Sequence, residues 1–343
     1  MRNSKVLISQ ALKTIQGNLE RTGDPLGLKT AYWTKWADNL QLPSNGSPLL
    51  FTARMYQMMP YVVQTTEIAA RAQPLVPMLS VKLFSKMAEY AGALVGDPII
   101  RLAALREGEI RTRTQAALVG IAAALRKAGI DPAYLFEKEP YSGVLLYDLG
   151  MEEAVAPIAR NVCRTLRSTG SRTVLTVDPH TTFMLRQIYP RYVSDMNLNV
   201  RHYLEILAEK ENLFPETKPA GMPEKIVLHD SCVMTRDLGI VEPVRTVLSS
   251  MGVTVVEPEN CGIDTACCGG PVEYAYADLS RSISCIRARE LAGNCRDILV
   301  VCPICLINLM KHENELGIRV WDMGELLYRA FPHRKIRNAM SAQ

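Results

Sequence analysis

Two stretches of this chain repeat one pattern 124 residues apart, and that repetition limits what the chain can fold into. Thr-Val-Asp178-Pro-His-Thr181 and Val-Val-Cys302-Pro-Ile-Cys305 each follow an apolar run and open a helical pattern containing a leucine. Upstream, Glu-Pro-Tyr141-Ser142-Gly143 stands where Thr-Ala-Cys267-Cys268-Gly269 stands, 126 residues on. Downstream, Val-Arg-His202-Tyr-Leu-Glu205 matches Val-Trp-Asp322-Met-Gly-Glu325, 120 residues on. Three anchors in one order with nearly one offset predict two copies of a single fold. A fourth pair sets Leu-Leu-Phe-Thr-Ala-Arg54 against Val-Leu-His-Asp-Ser-Cys232. Its offset is 178, because a helical insert lies in the first copy.

The pattern within the copies alternates. Short apolar runs predict strands at 49–54, 144–147, 173–177, 225–228, 253–256 and 298–301. Helical periodicity marks 152–168, 181–189, 241–251, 275–292 and 304–316, and a further helix is expected to end at Gly129. Alternating strands and helices give an α/β fold with largely parallel sheets. The fold class expected is two pseudo-twofold-related α/β domains with a helical N-terminal segment. The segment is 1–48: helical over 4–16, irregular over 17–27 with its Gly and Pro, then a helical piece over 31–40 holding Trp33 and Trp36. The first domain is 49–212 with a helical insert at 61–130, and the second is 225–343; Pro215, Pro219 and Pro223 mark the boundary.

Only the second copy carries a thiol set. Cys232, the adjacent Cys267 and Cys268, and the Cys302-Pro-Ile-Cys305 turn come from three loops, and such a layout gathers thiolates around one point. Cys302 and Cys305 lie where a strand meets a helix, where backbone N–H groups lower a thiol's pKa, and Pro303 suits the first turn. Gly269 and Gly270 permit close backbone approach after two consecutive cysteines. One tetrahedral zinc suits adjacent cysteines less well than two irons of one cluster, because their side chains diverge. Zinc, and thiols that are merely buried, stay open as alternatives.

Composition excludes little but decides some classes. A chain of 343 residues with 48% hydrophobic residues, 22% charged residues and a net charge of +4 is globular and too weakly basic to predict nucleic-acid binding. Residues 1–10 lack the apolar core of a signal peptide, so a reducing, cytoplasmic setting is expected, where clustered cysteines are ligands or redox groups. Residues 75–100 are apolar, but Lys82, Lys86 and Glu89 interrupt them. A spanning helix needs ~20 nearly uncharged residues. An amphipathic helix, buried or docked on a partner, is expected there instead, with contact at a membrane surface as the minority reading.

The cysteine pattern, Cys232-x34-Cys267-Cys268-Gly-x32-Cys302-Pro-x-Cys305, resembles the cysteine-rich CCG domain of heterodisulfide reductase catalytic subunits of the B/D type. The same domain occurs in iron–sulfur subunits linked to glycolate, lactate and glycerol-3-phosphate oxidation. The segment from Asn18 to Gly27 is similar to what precedes the first CCG domain in those subunits. The resemblance covers residues 8–330. It implies one non-cubane 4Fe–4S cluster per chain, held by Cys232, Cys267, Cys268, Cys302 and Cys305. In the first copy the corresponding positions are Arg54, Tyr141, Ser142, Asp178 and Thr181, so no cluster is expected there. The ferredoxin-like cysteine run fused to many relatives does not occur in this sequence, so the partners implied are a separate ferredoxin-like iron–sulfur subunit and a flavin-containing subunit.

The function expected is that of an iron–sulfur oxidoreductase subunit of a heterodisulfide-reductase-like complex, acting on a disulfide, thiol or persulfide and active only with its partners. The alternative is an electron-transfer subunit relaying between a dehydrogenase and a quinone. A third class is a scaffold with a structural cluster. The setting expected is cytoplasmic, with peripheral membrane association through partners. His229, three residues before Cys232, is a candidate proton relay, weighed against a strand histidine satisfied by backbone. Cys261 is read as a loop cysteine beside the site, and Cys163, Cys285 and Cys295 as helix residues. Asp230 and Asp264 are read as turn residues, His180 as a remnant of the cysteine-free copy, and Arg54 as solvated or salt-bridged.

Overall fold

The computed structural model describes residues 15–72, 108–215, 217–273 and 276–332. Strands β1 (Leu49–Phe51), β2 (Ala133–Tyr134), β3 (Thr173–Thr176) and β4 (Asn199–His202) form one parallel sheet in the order β2-β1-β3-β4. Strands β5 (Lys225–Leu228), β6 (Thr254–Val256), β7 (Asp297–Val300) and β8 (Arg319–Asp322) form a second, in the order β6-β5-β7-β8. Helices α1 (Met55–Ala72), α2 (Gly108–Lys127), α3 (Val144–Asp148), α4 (Glu152–Ser168), α5 (Pro179–Phe183) and α6 (Tyr203–Ala208) accompany the first sheet. Helices α7 (Glu242–Ser250), α8 (Ala277–Asn294), α9 (Pro303–Leu309), α10 (Glu313–Leu316) and α11 (Met323–Ala330) accompany the second. The inner strands are continuous apolar runs, Leu-Leu-Phe and Ile-Leu-Val, fully buried as parallel strands covered on both faces must be.

The two sheets match residue by residue. Leu49 pairs with Val174 and Val174 with Val200; at the equivalent places Val227 pairs with Ile298 and Ile298 with Val320. His202 and Asp322 close β4 and β8 as N-caps, each answered by a glutamate, Glu205 or Glu325, that accepts the cap's own N–H. The halves also meet reciprocally. Helix α5 packs on the π-helical turn Val233–Asp237 that follows β5, and α9 packs on α1, which follows β1. Each helix after a third strand thus meets the element after the other half's first strand, as an approximate twofold requires. One apolar cluster holds Leu50, Leu175 and Leu204 together with Leu228, Leu299 and Leu327, so the sheets share a core.

Three expectations need correction. The run 144–147 is helix α3, not a strand. Gly143, at φ 75°, turns the chain into it, and the Tyr141 hydroxyl accepts the Leu145 N–H at 2.8 Å. Four apolar residues fit a buried helical turn as well as a strand. The second strand is instead β2, only two residues long, directly after Pro132. Strands β4 and β8 are further additions, though their caps are visible in the sequence as repeat anchors. Finally, residues 15–22 are helical through Gly17, and the irregular path begins at Gly23, where φ is 68°. The reading of 75–100, and most of the helix expected over 4–16, fall outside the described residues.

Helix α2, from the insert, ties the halves together. A Cβ on Gly120 would lie 2.1 Å from the Gly324 carbonyl oxygen and 2.4 Å from the Tyr328 nitrogen of α11. Arg113 secures the same contact through Glu325, 2.9 Å from its Nε. At the end of β1, Arg54 is buried and salt-bridged. Its Nη1 lies 3.1 Å from Asp24 Oδ2, and its Nη2 donates to the Glu139 carbonyl. Asp24 in turn accepts the Leu26 and Leu28 N–H groups, which anchors the N-terminal segment. The Glu139 carboxylate takes the Thr52 N–H at 2.6 Å, the Thr52 hydroxyl at 2.7 Å and the Tyr134 hydroxyl at 3.1 Å. Burial nevertheless pushes Glu139 up to about 7, against the Thr52 bonds and the Arg54 charge.

Gly120→Ala should lower stability by about 1–3 kcal/mol in denaturant unfolding, because backbone cannot yield as a side chain does. Glu139 prefers its proton in the folded state, so its contribution is fully present below pH 4.5 and is lost as pH rises to about 7. Thermal unfolding should therefore show Glu139→Gln gaining on the wild type across that window, by at most on the order of 3 kcal/mol.

Candidate metal centre

The second sheet delivers five thiols to one place. Cys232 ends the β5 connection and begins the π-helical turn. Cys267 and Cys268 lie in the loop beyond the 3-10 turn Gly262–Asp264. Cys302 is the N-cap of α9, Pro303 fills its first position, and Cys305 follows one turn in. Side-chain hydrogen bonds run Cys232–Cys267–Cys268–Cys305–Cys302 without interruption. Gly269 has φ 80°, and a Cβ there would meet the Ser280 carbonyl oxygen at 2.6 Å. A Cβ on Gly270 would lie 2.1 Å from Ile304 Cγ2 and 3.4 Å from Cys268 Sγ, so only glycine lets this loop close on the sulfurs.

Backbone donors point at these sulfurs. The Gly269 N–H lies 3.2 Å from Cys267 Sγ, the Gly270 N–H bonds Cys268 and the Cys305 N–H bonds Cys302. Burial pushes the Cys302 thiol up, but hydrogen bonds from Cys305 and His180 overcome it and hold the group well below its usual range. Bonds from Cys267 and Cys305 bring Cys268 down to about 5. The bonds that Cys232 and Cys305 donate raise their own thiols, each by its contact with the next sulfur and by burial. Negative charge therefore settles on Cys268 and Cys302, at the buried side, while Cys232 and Cys267 are half-buried and form the open edge.

Two further side chains from outside the cysteine motif reach the set. His180 crosses from the first half. Burial would lower its pKa, but contact with Cys302 and the nearby Asp148 and Asp178 raise it to about 10. Its Nδ1 lies 3.8 Å from Asp148 Oδ2. The reading of His180 as a remnant is thus corrected; the only sequence signal was its place in the Asp-Pro-His-Thr turn that copies Cys-Pro-Ile-Cys. His229 has a ring nitrogen, and Cys268 and Cys305 have sulfurs, all within 4.8 Å of one another. Arg287, which no motif marked, donates to His229 Nδ1 at 3.2 Å.

The first half presents the same backbone with other acceptors. Asp178 Oδ1 takes the Thr181 N–H at 2.9 Å, the place where Cys302 takes that of Cys305. The Ser142 carbonyl accepts from the Tyr189 hydroxyl, and Arg54 occupies the Cys232 position in its ion pair with Asp24. A cavity of about 1110 Å³ opens on this side, lined by Gln16, Arg54, Glu139, Tyr141 and Asn161. It lies away from the thiols. Among the remaining candidates, Asp230 is clamped by Arg245 at 2.8 Å and by the Gly262 N–H at 2.6 Å, and Asp264 is exposed. Cys261 bonds Glu257 and stands outside the sulfur chain. Cys163 is buried in α4, Cys285 lies on α8, and Cys295 caps α8 with its thiol toward the Lys225 carbonyl.

Comparison with known proteins agrees with this geometry. Residues 226–310 match the family model of the cysteine-rich domain, CCG. The "Probable iron-sulfur-binding oxidoreductase FadF" of Bacillus subtilis is 29% identical over 228 residues, 64% of this chain and 32% of the relative. EtfAB:quinone oxidoreductase of Syntrophomonas wolfei is 29% identical over 60% of this chain and 30% of its own length. The D-type subunit of the dihydromethanophenazine:CoB–CoM heterodisulfide reductase of Methanosarcina acetivorans is 27% identical, over 60% of this chain and 53% of its own length. The chain thus spans about a third of the first two relatives and about half of the third. Carrying this domain on the second of two matched α/β halves, the chain is a CCG cysteine-rich-domain protein, similar to the D-type heterodisulfide reductase polypeptide and to FadF-like iron–sulfur oxidoreductases.

Proposed function

We propose that the chain is the cluster-bearing subunit of a heterodisulfide-reductase-like redox complex, with Cys232, Cys267, Cys268, Cys302 and Cys305 holding one non-cubane 4Fe–4S cluster. The observation that carries this is the unbroken chain of five thiols, two of them already driven toward thiolate. Five soft donors with a vicinal pair suit a multi-iron cluster better than a single tetrahedral ion. When bound, such a cluster supplies one-electron chemistry and an iron to which a substrate sulfur can bind.

The protein's own groups define how that chemistry is framed. The N–H groups of Gly269, Gly270 and Cys305, and the imidazole of His180, offset the negative charge gathered on the sulfurs. Buried Cys268, Cys302 and Cys305 exclude water from the inner face, while the edge at Cys232 and Cys267 leaves an approach for a small thiol, disulfide or persulfide. A second reading is an electron-transfer subunit that relays between a dehydrogenase and a quinone. The similarity to an EtfAB:quinone oxidoreductase favours it. Either way, we assign the electron supply to a ferredoxin-like iron–sulfur subunit and a flavin-containing subunit. No described helix is long and apolar enough to cross a membrane, so attachment to one falls to such partners in this proposal.

Anaerobically purified protein should contain about four irons and four acid-labile sulfides per chain. Cys302→Ser and Cys268→Ser should each lose most of that iron, whereas Cys163→Ser should keep it. A paramagnetic signal after oxidation that changes on adding thiol supports the substrate-binding reading, and a signal indifferent to thiol supports the relay. Zinc without sulfide would overturn both.

A further inference from the structure

We infer that Arg287 holds His229 in the tautomer whose Nε2 carries the proton, which makes His229 a hydrogen-bond donor to the sulfurs at Cys268 and Cys305 and neither a metal ligand nor a proton relay. The inference rests on the proposal that these cysteines hold a cluster.

A guanidinium has only N–H donors and no lone pair. With Arg287 Nε 3.2 Å from His229 Nδ1, that nitrogen must accept, and in a neutral imidazole the one proton then sits on Nε2. Arg287 cannot turn away to release it. The side chain is 1% exposed, its Nη2 donates to the Asn260 carbonyl at 2.9 Å and to the Thr265 hydroxyl at 3.4 Å, and its Nη1 pairs with Glu290 at 2.8 Å. Meanwhile Nε2 of His229 is buried with no hydrogen-bond partner in the protein, although the imidazole lies against the sulfurs of Cys268 and Cys305. A buried N–H without an acceptor is costly, and sulfur is the acceptor within reach.

The same geometry excludes the other roles. Ligation by Nε2 would need its proton moved to Nδ1, where it would face the Arg287 N–H donor to donor. A relay needs both ring nitrogens to exchange protons, and Nδ1 is closed. What remains is a fixed donor, and hydrogen bonds to cluster sulfurs raise the reduction potential by stabilising the more negative, reduced state. Arg287 acts through His229 and is a positioning residue.

The test is an EPR-monitored redox titration of the iron-loaded full chain, with iron and sulfide measured on every sample. His229→Leu should keep its iron and shift the midpoint potential negative. His229→Gln, whose amide N–H extends toward the Nε2 position, should recover part of the shift, and Arg287→Met should shift the potential the same way as His229→Leu. Wild-type protein with 15N-labelled histidine should show only weak nitrogen coupling to the cluster. A strong coupling, with iron lost in His229→Leu, would make His229 a ligand and overturn the inference. An unchanged potential in His229→Leu and Arg287→Met would overturn it as well. Should the wild type itself hold no iron, it is the underlying cluster assignment that fails.

Discussion

At the end of the third strand in each half, a buried backbone N–H one helical turn on needs an acceptor, and the side chain that answers it decides what that half can do. In the first half Asp178 takes the Thr181 N–H. In the second the acceptor is the Cys302 sulfur, facing the Cys305 N–H. The strand, the proline at the first helical position and the turn are the same in both. A carboxylate there makes a stable N-cap, while a thiol there becomes a thiolate by the same donation. The fold therefore offers two equivalent anion sites and has furnished only one with sulfur.

The half without sulfur still shapes the other. His180, from the first half's copy of the turn, reaches Cys302, and Tyr56 of α1 donates to Asp322 at 2.9 Å, beside the same group. The reciprocal packing of α5 and α9 holds these contacts in place, and the glycine crossing of α2 on α11 lets the insert clasp the second half at backbone distance. Where Cys232 has its counterpart, Arg54 is sealed by Asp24 and Glu139 rather than turned toward a ligand. Breaking one partner of such a buried set leaves an uncompensated charge, which is why this knot can anchor the N-terminal segment.

The site is asymmetric in a way that matters for redox work. Its anionic sulfurs, Cys268 and Cys302, lie deepest and face most of the donors, while Cys232 and Cys267 stand at the edge. Charge is thus compensated inside, and access is left outside. That arrangement is compatible with a site that meets substrate and with one that only passes electrons; the occupant of the open edge separates them.

The repeat, the cysteine spacing and the continuous apolar runs were enough to read an α/β fold in two copies, because they depend on local chemistry and on simple offsets along the chain. The same offsets exposed Arg54, Tyr141, Ser142, Asp178 and Thr181 as the cysteine-free counterparts. The sequence could not separate a strand from a helical turn at Val144, since four apolar residues satisfy either once buried. Nor could it find β2, which exists only because Leu49 and Leu50 offer it a parallel partner. His180 and Arg287 lay equally out of view. Each acts on a group far away in sequence, across an interface between halves in one case and from a neighbouring helix in the other. Contacts of that kind carry no local pattern, so only the tertiary structure could decide that one histidine faces Cys302 and another is locked by an arginine.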